Sequence, residues 1–247
     1  WNPIDALTIT LGLRHDDHNV FGSHLSPRAY AVWDVSPSWV LKGGVSTGYK
    51  TPKTTDLYDG IIGFGGQGTS PFVGNPDLEP ETSVNSEIAL YWTSADSRHN
   101  FNATVFRNDF EDKIARGETS QSCEQTGGIR PCANLGDYGL LGYTTYAQNI
   151  NIDEVRIQGA ELAGRWGISE AWSLRANYTF TDSEQLSGPD EGLPLTDTAR
   201  HMANATLGWQ PTERFSMQLV SETRSKRYRD VIDGVRHDYE DYTVLHL

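Results

Sequence analysis

No run of about eighteen apolar residues occurs anywhere in this chain of 247 residues, so it has no segment able to cross a membrane as a helix. Basic residues are scarce. Twenty Lys and Arg stand against 33 Asp and Glu, a net charge of −13, and a nucleic-acid partner needs the opposite balance. Cysteine is reduced to Cys123 and Cys132, close together in one polar stretch. A disulfide closing so short a loop is worth roughly 3 kcal/mol in the chain-entropy model and persists only in an oxidising compartment. The pair is therefore expected to staple a loop outside the cytoplasm, since as metal ligands two isolated sulfurs need donors from elsewhere. An initiator methionine and a signal peptide are also missing. Trp1-Asn2-Pro3 reads as a turn already entering a strand and Leu245-His246-Leu247 ends within another, so an excerpt of a longer protein is expected.

What the sequence does contain is alternation. Trp172, Leu174, Ala176, Tyr178 and Phe180 interleave one for one with Ser173, Arg175, Asn177, Thr179 and Thr181. Leu7, Ile9, Leu11 and Leu13 alternate with Thr8, Thr10, Gly12 and Arg14, and Ala203, Ala205, Leu207 and Trp209 with Asn204, Thr206, Gly208 and Gln210. A period of two gives strands with one apolar and one polar face. The connections alternate as well. Ser36-Pro37-Ser38, Ser94 to Ser97, Ser169-Glu170-Ala171 and Pro211-Thr212-Glu213 are tight polar turns. Between them lie excursions of roughly Asp16 to Leu25, Thr51 to Thr82, Glu111 to Asn149, Ser183 to Thr198 and Lys226 to Tyr239. Short turns at one end and long loops at the other describe an all-β, antiparallel transmembrane β-barrel with periplasmic turns and extracellular loops. A mean hydropathy of −0.52 is compatible, because only every second strand residue meets lipid. Trp33, Trp39, Tyr49, Tyr91, Trp92, Trp166, Trp172 and Trp209 sit near strand ends, as interfacial aromatic girdles require.

Several motifs match by spelling alone. Gly63 to Gly68 fits a dinucleotide fingerprint but runs into Thr69-Ser70-Pro71 instead of a helix. Gly44-Val45-Ser46-Thr47-Gly48 fits a hydrolase nucleophile elbow, yet its serine lies within an alternating strand. His15-Asp16-Asp17-His18 with His24 groups possible metal ligands, but neighbours on extended chain point to opposite faces, and a solvated loop is expected. Gly159 is expected at a bulge, because the apolar phase shifts there from Val155 and Ile157 to Ala160 and Leu162.

Gly74-Asn75-Pro76-Asp77-Leu78-Glu79-Pro80-Glu81-Thr82-Ser83, preceded by Gly48-Tyr49-Lys50-Thr51-Pro52, resembles the TonB-dependent outer-membrane receptors. The likeness continues through Phe21 to Arg28, Val105 to Phe110 with Lys113-Ile114, Val155 to Glu161, Asn177 to Thr181 and Pro194 to Asp197. It is strongest to the catecholate-siderophore branch, which includes the ferric enterobactin and colicin I receptors. The resemblance implies a Gram-negative outer membrane, a non-enzymatic function and a 22-stranded barrel closed by a plug. Energy would come from TonB, through a TonB box outside this sequence. Residues 1–247 would then be about ten strands of that barrel, without the plug or the final strands. An open sheet of this kind, alone in water, is expected to aggregate. Iron enters as ferric-siderophore cargo and not as a covalently bound cofactor. The rivals are a barrel hydrolase closed at ten strands and a passive porin.

Ferric catecholates are bulky aromatic anions, so a receptor for them offers Arg or Lys beside aromatic rings at the extracellular mouth. One candidate is Arg224, Lys226, Arg227, Tyr228 and Arg229, the densest basic stretch in the chain. Lipid and lipopolysaccharide phosphates lie at the same height and compete for this assignment. The other is the cysteine-stapled loop with Arg116, Arg130, Tyr138, Tyr143 and Tyr146, which otherwise serves as a lid or spacer. Asn75-Pro76-Asp77 and Pro80 are read as punctuation where a loop returns to a strand.

Overall fold

The computed structural model describes residues 1, 3–117, 121–142, 146–188, 190–232 and 234–247, with the backbone alone for Asp153. Alternating residues form β1 (Leu7–His18), β2 (Gly22–Ser36) and β3 (Trp39–Lys50). A small hairpin follows, β4 (Ile61–Gly65) and β5 (Ser70–Val73), and then β6 (Glu81–Thr93), β7 (His99–Gly117) and β8 (Ala147–Gly167). The chain continues as β9 (Trp172–Gln185), β10 (His201–Thr212) and β11 (Phe215–Arg224). A second hairpin, β12 (Arg227–Ile232) and β13 (Val235–Tyr239), precedes β14 (Tyr242–His246). A 3-10 turn at Gly66–Gly68 and a short helix, α1 (Asp137–Leu140), interrupt the strands.

Ten strands pair with their sequence neighbours in the antiparallel order β1-β2-β3-β6-β7-β8-β9-β10-β11-β14. The register resolves two faces. Ile9, Ala31, Gly43, Ile88, Val105, Ala160, Phe180 and His201 form one transverse row on the outer face. There Leu11, Ile88, Val105 and Leu162 stand exposed, as side chains solvated by lipid must. The next row, Thr10, Tyr30, Gly44, Glu87, Phe106, Gly159 and Thr181, faces the lumen. β1 and β14 end the strand path and do not pair with each other, so the sheet does not close at ten strands.

The tight turns are held by their own side chains. Ser94 Oγ donates to Asp96 Oδ1 at 2.6 Å and accepts from the His99 N–H, and Arg98 N donates to the same Asp96 oxygen. Ser169 Oγ accepts from the N–H groups of Ala171 and Trp172. Above these turns runs an aromatic belt. Trp39, Trp92 and Phe101 pack at centroid distances of 5.7 to 6.3 Å, and Trp172 stacks on Trp209 at 5.7 Å. Tyr91 does not join it. Its parity turns it to the lumen, where the Lys42 ammonium lies 4.4 Å from its ring.

Two further expectations fail for physical reasons. Asp16 to Leu25 is not a long loop. β1 and β2 pair without interruption to His18↔Gly22, and His18 Nδ1 accepts from the N–H groups of Val20 and Phe21 at the turn. Gly159 marks no bulge either, because the register runs straight through it on both sides. A Cβ there would collide with the Phe180 carbonyl oxygen and lie 2.9 Å from Phe106 Cζ, so glycine is needed for close approach. The motifs rejected by context keep that context: Gly63–Gly68 closes the β4–β5 hairpin and Ser46 lies inside β3.

Candidate functional site

Beyond the lipid band the strands continue into water, and the loops pack on their lumen side. Val73 of β5 packs with Ala133, Leu135 and Tyr146 in a small apolar core that ties the cysteine loop to the β4–β5 hairpin. Cys123 and Cys132 form the expected disulfide, with Cα atoms 4.8 Å apart. The return segment Gly74–Glu81 is anchored by side-chain amides from β8. Gln148 donates to Gly74 O at 2.9 Å, while Asn75 donates to Asn149 O at 3.0 Å. Asn151 both accepts from the Glu79 N–H and donates to Glu79 O. Asp77 N donates to Asn75 Oδ1, the turn chemistry expected of Asn-Pro-Asp. At its end the Glu81 carboxylate, only 10% exposed, accepts from the Ile114 N–H at 3.0 Å and sits 3.5 Å from Lys50 and 3.7 Å from Lys113. The motif therefore clamps the return segment onto β7 and β8.

The expected ligand residues fall into distinct environments. Arg130 bridges Asp59 at 2.7 Å and Asp77 at 3.2 Å, and these hydrogen bonds, Asp59 first, raise its pKa further. Its charge is spent holding the cysteine loop down. Tyr138, in α1, packs against the Phe64 ring at 5.0 Å. Arg116 is exposed and covers the Phe72 ring at 4.8 Å. Tyr143 lies outside the described residues.

In the β12–β13 hairpin and the start of β14 three arginines interleave with three tyrosines. Arg227 lies 5.2 Å from Tyr239 and 5.8 Å from Tyr242, Arg229 lies 5.8 Å from Tyr239, and Arg236 lies 5.3 Å from Tyr228. Tyr228 is itself buried, 3% exposed, and is a wall residue; burial first, then Asp190 and Asp230, pushes its phenol pKa up. Arg227 binds Asp197 at 2.8 Å, and Asp197 N donates to Tyr228 O, so the Pro194–Asp197 segment braces the hairpin. Arg224 reaches Glu222 at 3.2 Å and Lys226 reaches Glu240 at 3.0 Å, which raises the Lys226 pKa. Arg229 is the most available of the group, exposed and 3.5 Å from Asp230. Sequence reading missed Phe72, Arg236, Tyr239 and Tyr242. The hairpin's basic–aromatic alternation was the signal that would have found the last three.

A family model for TonB dependent receptor-like β-barrels matches residues 1–247. The chain belongs to this family. The iron-regulated outer membrane virulence protein of Vibrio cholerae serotype O1 is 38% identical over 229 residues, covering 92% of this chain and 32% of that protein. The ferric enterobactin receptor of Pseudomonas aeruginosa is 30% identical over 219 residues, with 86% and 28% covered. A solved variant of the ferric enterobactin receptor from Pseudomonas aeruginosa, in complex with enterobactin, matches in fold with a TM-score of 0.71 and 23% identity, covering 98% of this chain and 35% of that one. The TonB-dependent receptor barrel described here spans about a third of the length of the relatives it matches. It is a wall of the Gram-negative outer membrane. The family match supports the receptor reading over the ten-strand hydrolase and the passive porin.

Proposed function

We propose that residues 1–247 form ten strands of a larger, 22-stranded receptor barrel that binds a ferric siderophore of catecholate type and passes it inward on energy delivered by TonB. The plug and the TonB-contacting segment belong to the rest of that protein. Iron is cargo, no resident cofactor takes part, and the chain performs no covalent chemistry.

The observation that carries the reading is the arginine–tyrosine ladder at the loop end of a barrel from this family. Catecholate rings stack on such surfaces and their negative charge meets the guanidinium groups. Relatives named as ferric enterobactin receptors support the cargo class. Among the candidate residues we assign direct contact to Arg229 and Lys226 on the hairpin and to Arg116 beside Phe72. Arg227 orients the hairpin through Asp197, and Arg224 is paired with Glu222 on its own strand. Arg130 and Tyr138 position the cysteine loop, and Tyr228 supports the surface from beneath. Lipopolysaccharide phosphate is the competing partner for the outermost cations.

The test is binding of ferric catecholate, hydroxamate and citrate siderophores, and of cobalamin, to the intact receptor in detergent, followed by tryptophan quenching. A ferric catecholate should bind tightest. Arg229→Ala and Arg116→Ala should each weaken it about five- to tenfold, the worth of one cation–π contact with its charge. Binding of a different class would overturn the catecholate assignment, and binding of none would overturn the siderophore reading.

A further inference from the structure

The inner wall just above the short turns carries an arrangement that the loop site does not use. Arg165 of β8 and Arg175 of β9 lie directly opposite each other in the register, both on the lumen face and both exposed. Like charges placed directly across a sheet destabilise it, and side chains so paired are only about 5 Å apart at Cβ. Most arginines of this acidic chain reach a carboxylate, but among the described residues neither Arg165 nor Arg175 does. In the recess they share, their neighbours are amides and a hydroxyl, while Arg165 also borders Arg98 and Glu170 of the turns without an ion pair to that carboxylate. Asn100 flanks Arg165 across the sheet and Thr206 flanks Arg175. One row further up stand Asn102, Asn177 and Asn204, where Asn204 donates to Asn177 Oδ1 at 2.9 Å and so leaves the Asn177 amide N–H groups to the lumen. The nearest acid of these strands on the same face, Glu161, is four residues along β8, roughly 13 Å away. These side chains line a recess of about 360 Å³.

We propose that the Arg165–Arg175 pair, with the amides of Asn100 and Asn177, is an oxyanion-binding site on the lumen wall near the periplasmic end. Two guanidinium forks facing one recess match the planar, two-oxygen geometry of a carboxylate or phosphate, and a bound anion converts their repulsion into attraction from both sides. The oxyanion is either the carboxylate of an acidic side chain carried into the lumen by the same protein or a small free anion. This proposal does not depend on the cargo.

The two possibilities separate in a thermal unfolding series on the intact protein in detergent. Arg165→Gln, Arg175→Gln and the double variant keep a polar side chain on an exposed strand position and should fold. If an anion is held, each single change lowers the midpoint by about 1 °C, the shift of roughly 1 kcal/mol in a protein about three times the length of this chain. The double variant should lose no more than the larger single one, because one arginine alone no longer holds the ligand. Inorganic phosphate distinguishes the source. Where the anion is free, phosphate raises the midpoint of the unaltered protein in a concentration-dependent way, sodium chloride at equal ionic strength does not, and the variants ignore both. Where the anion is the protein's own carboxylate, phosphate changes nothing while the variants still lower the midpoint. A midpoint in the single variants that is unchanged or raised relative to the unaltered protein with phosphate present, the outcome of simple charge repulsion relieved, overturns the proposal.

Discussion

Removing Glu81 should release one loop without unfolding the barrel, and the structure sets the size of the effect. The Glu81 carboxylate accepts from the Ile114 N–H at 3.0 Å in a site only 10% exposed. Losing a charge-assisted bond of this kind costs about 1.5 to 3 kcal/mol and leaves the N–H without its acceptor. Lys113, 20% exposed, loses its counter-charge as well, whereas Lys50, 62% exposed, turns to water at little cost. Glu81→Ala therefore destabilises the local clamp by about 2 to 3 kcal/mol. Amide hydrogen exchange on the intact receptor in detergent reads this directly, since each 1.4 kcal/mol of local opening is a tenfold faster exchange. Exchange at Ile114 and along Gly74–Glu81 should accelerate about 30- to 150-fold, while the paired core of β6 and β7 stays protected. Glu81→Gln keeps an acceptor oxygen and should accelerate it only about fivefold, or roughly 1 kcal/mol. Equal exchange at Ile114 in all three proteins, or uniform loss of protection across the sheet, would refute the clamp.

Gly159→Ala places a methyl against the Phe180 carbonyl and the Phe106 ring, so it should cost about 2 kcal/mol or more and reduce the yield of inserted barrel; Gly63→Ala, where the nearest atom is 3.7 Å away, should not. Reducing Cys123–Cys132, or replacing both with serine, removes about 3 kcal/mol of loop restraint. Protease should then nick residues 121–142 first, and equal resistance before and after reduction would contradict the restraint. The folded-state pKa of Tyr228 is raised, so its contribution to stability is complete below pH 10, the ordinary tyrosine value, and is lost as pH climbs through the higher folded value. Loop stability should fall in that alkaline window, and Tyr228→Phe should abolish the fall. Arg130→Ala frees Asp59 and Asp77 from their shared bridge and should loosen the cysteine loop by about 1 kcal/mol, seen as several-fold faster exchange near Ala133.

The strands were legible because lipid on one side and water on the other imprint a period of two, and Trp172 to Thr181 shows it without a break. The turns were legible for a local reason, since Ser94, Asp96 and Ser169 each bond a backbone within a few residues. Asp16 to Leu25 misled because β1 and β2 there project into water on both faces, which removes the apolar signal from a ladder that nonetheless persists. The disposition of the arginines was not legible. Whether Arg130 or Arg227 is free for a ligand depends on Asp59, Asp77 and Asp197, which the fold brings from distant loops. Composition marks a basic stretch, but only the tertiary structure decides which charges are already answered.

The phase shift near Gly159 is better understood as the upper edge of the membrane. Below it, outward Ala160, Leu162 and Trp166 meet lipid and inward Glu161 and Arg165 meet the wet lumen. Above it the environments exchange. The outward positions carry Arg156, which pairs with outward Asp109 at 2.9 Å in the company of Arg107, while inward Val155 is 1% exposed beneath the loops. The same parity thus turns from apolar to charged with no change of register, because the solvent on each side has changed. From Trp172 to Phe180 on β9 the apolar outer face runs nine residues, roughly 26 Å along the strand. At a tilt of about 40° that is roughly 20 Å across the bilayer, close to the apolar band of about 25 Å of an outer-membrane barrel. The clamp of Glu81, the disulfide loop and the arginine–tyrosine hairpin all lie above this edge, and the Arg165–Arg175 pair lies below it near the turns. The recognition proposed at the loops and the anion binding proposed near the turns are thereby separated along one continuous wall, so a substitution at either place should leave the other's measured property unchanged.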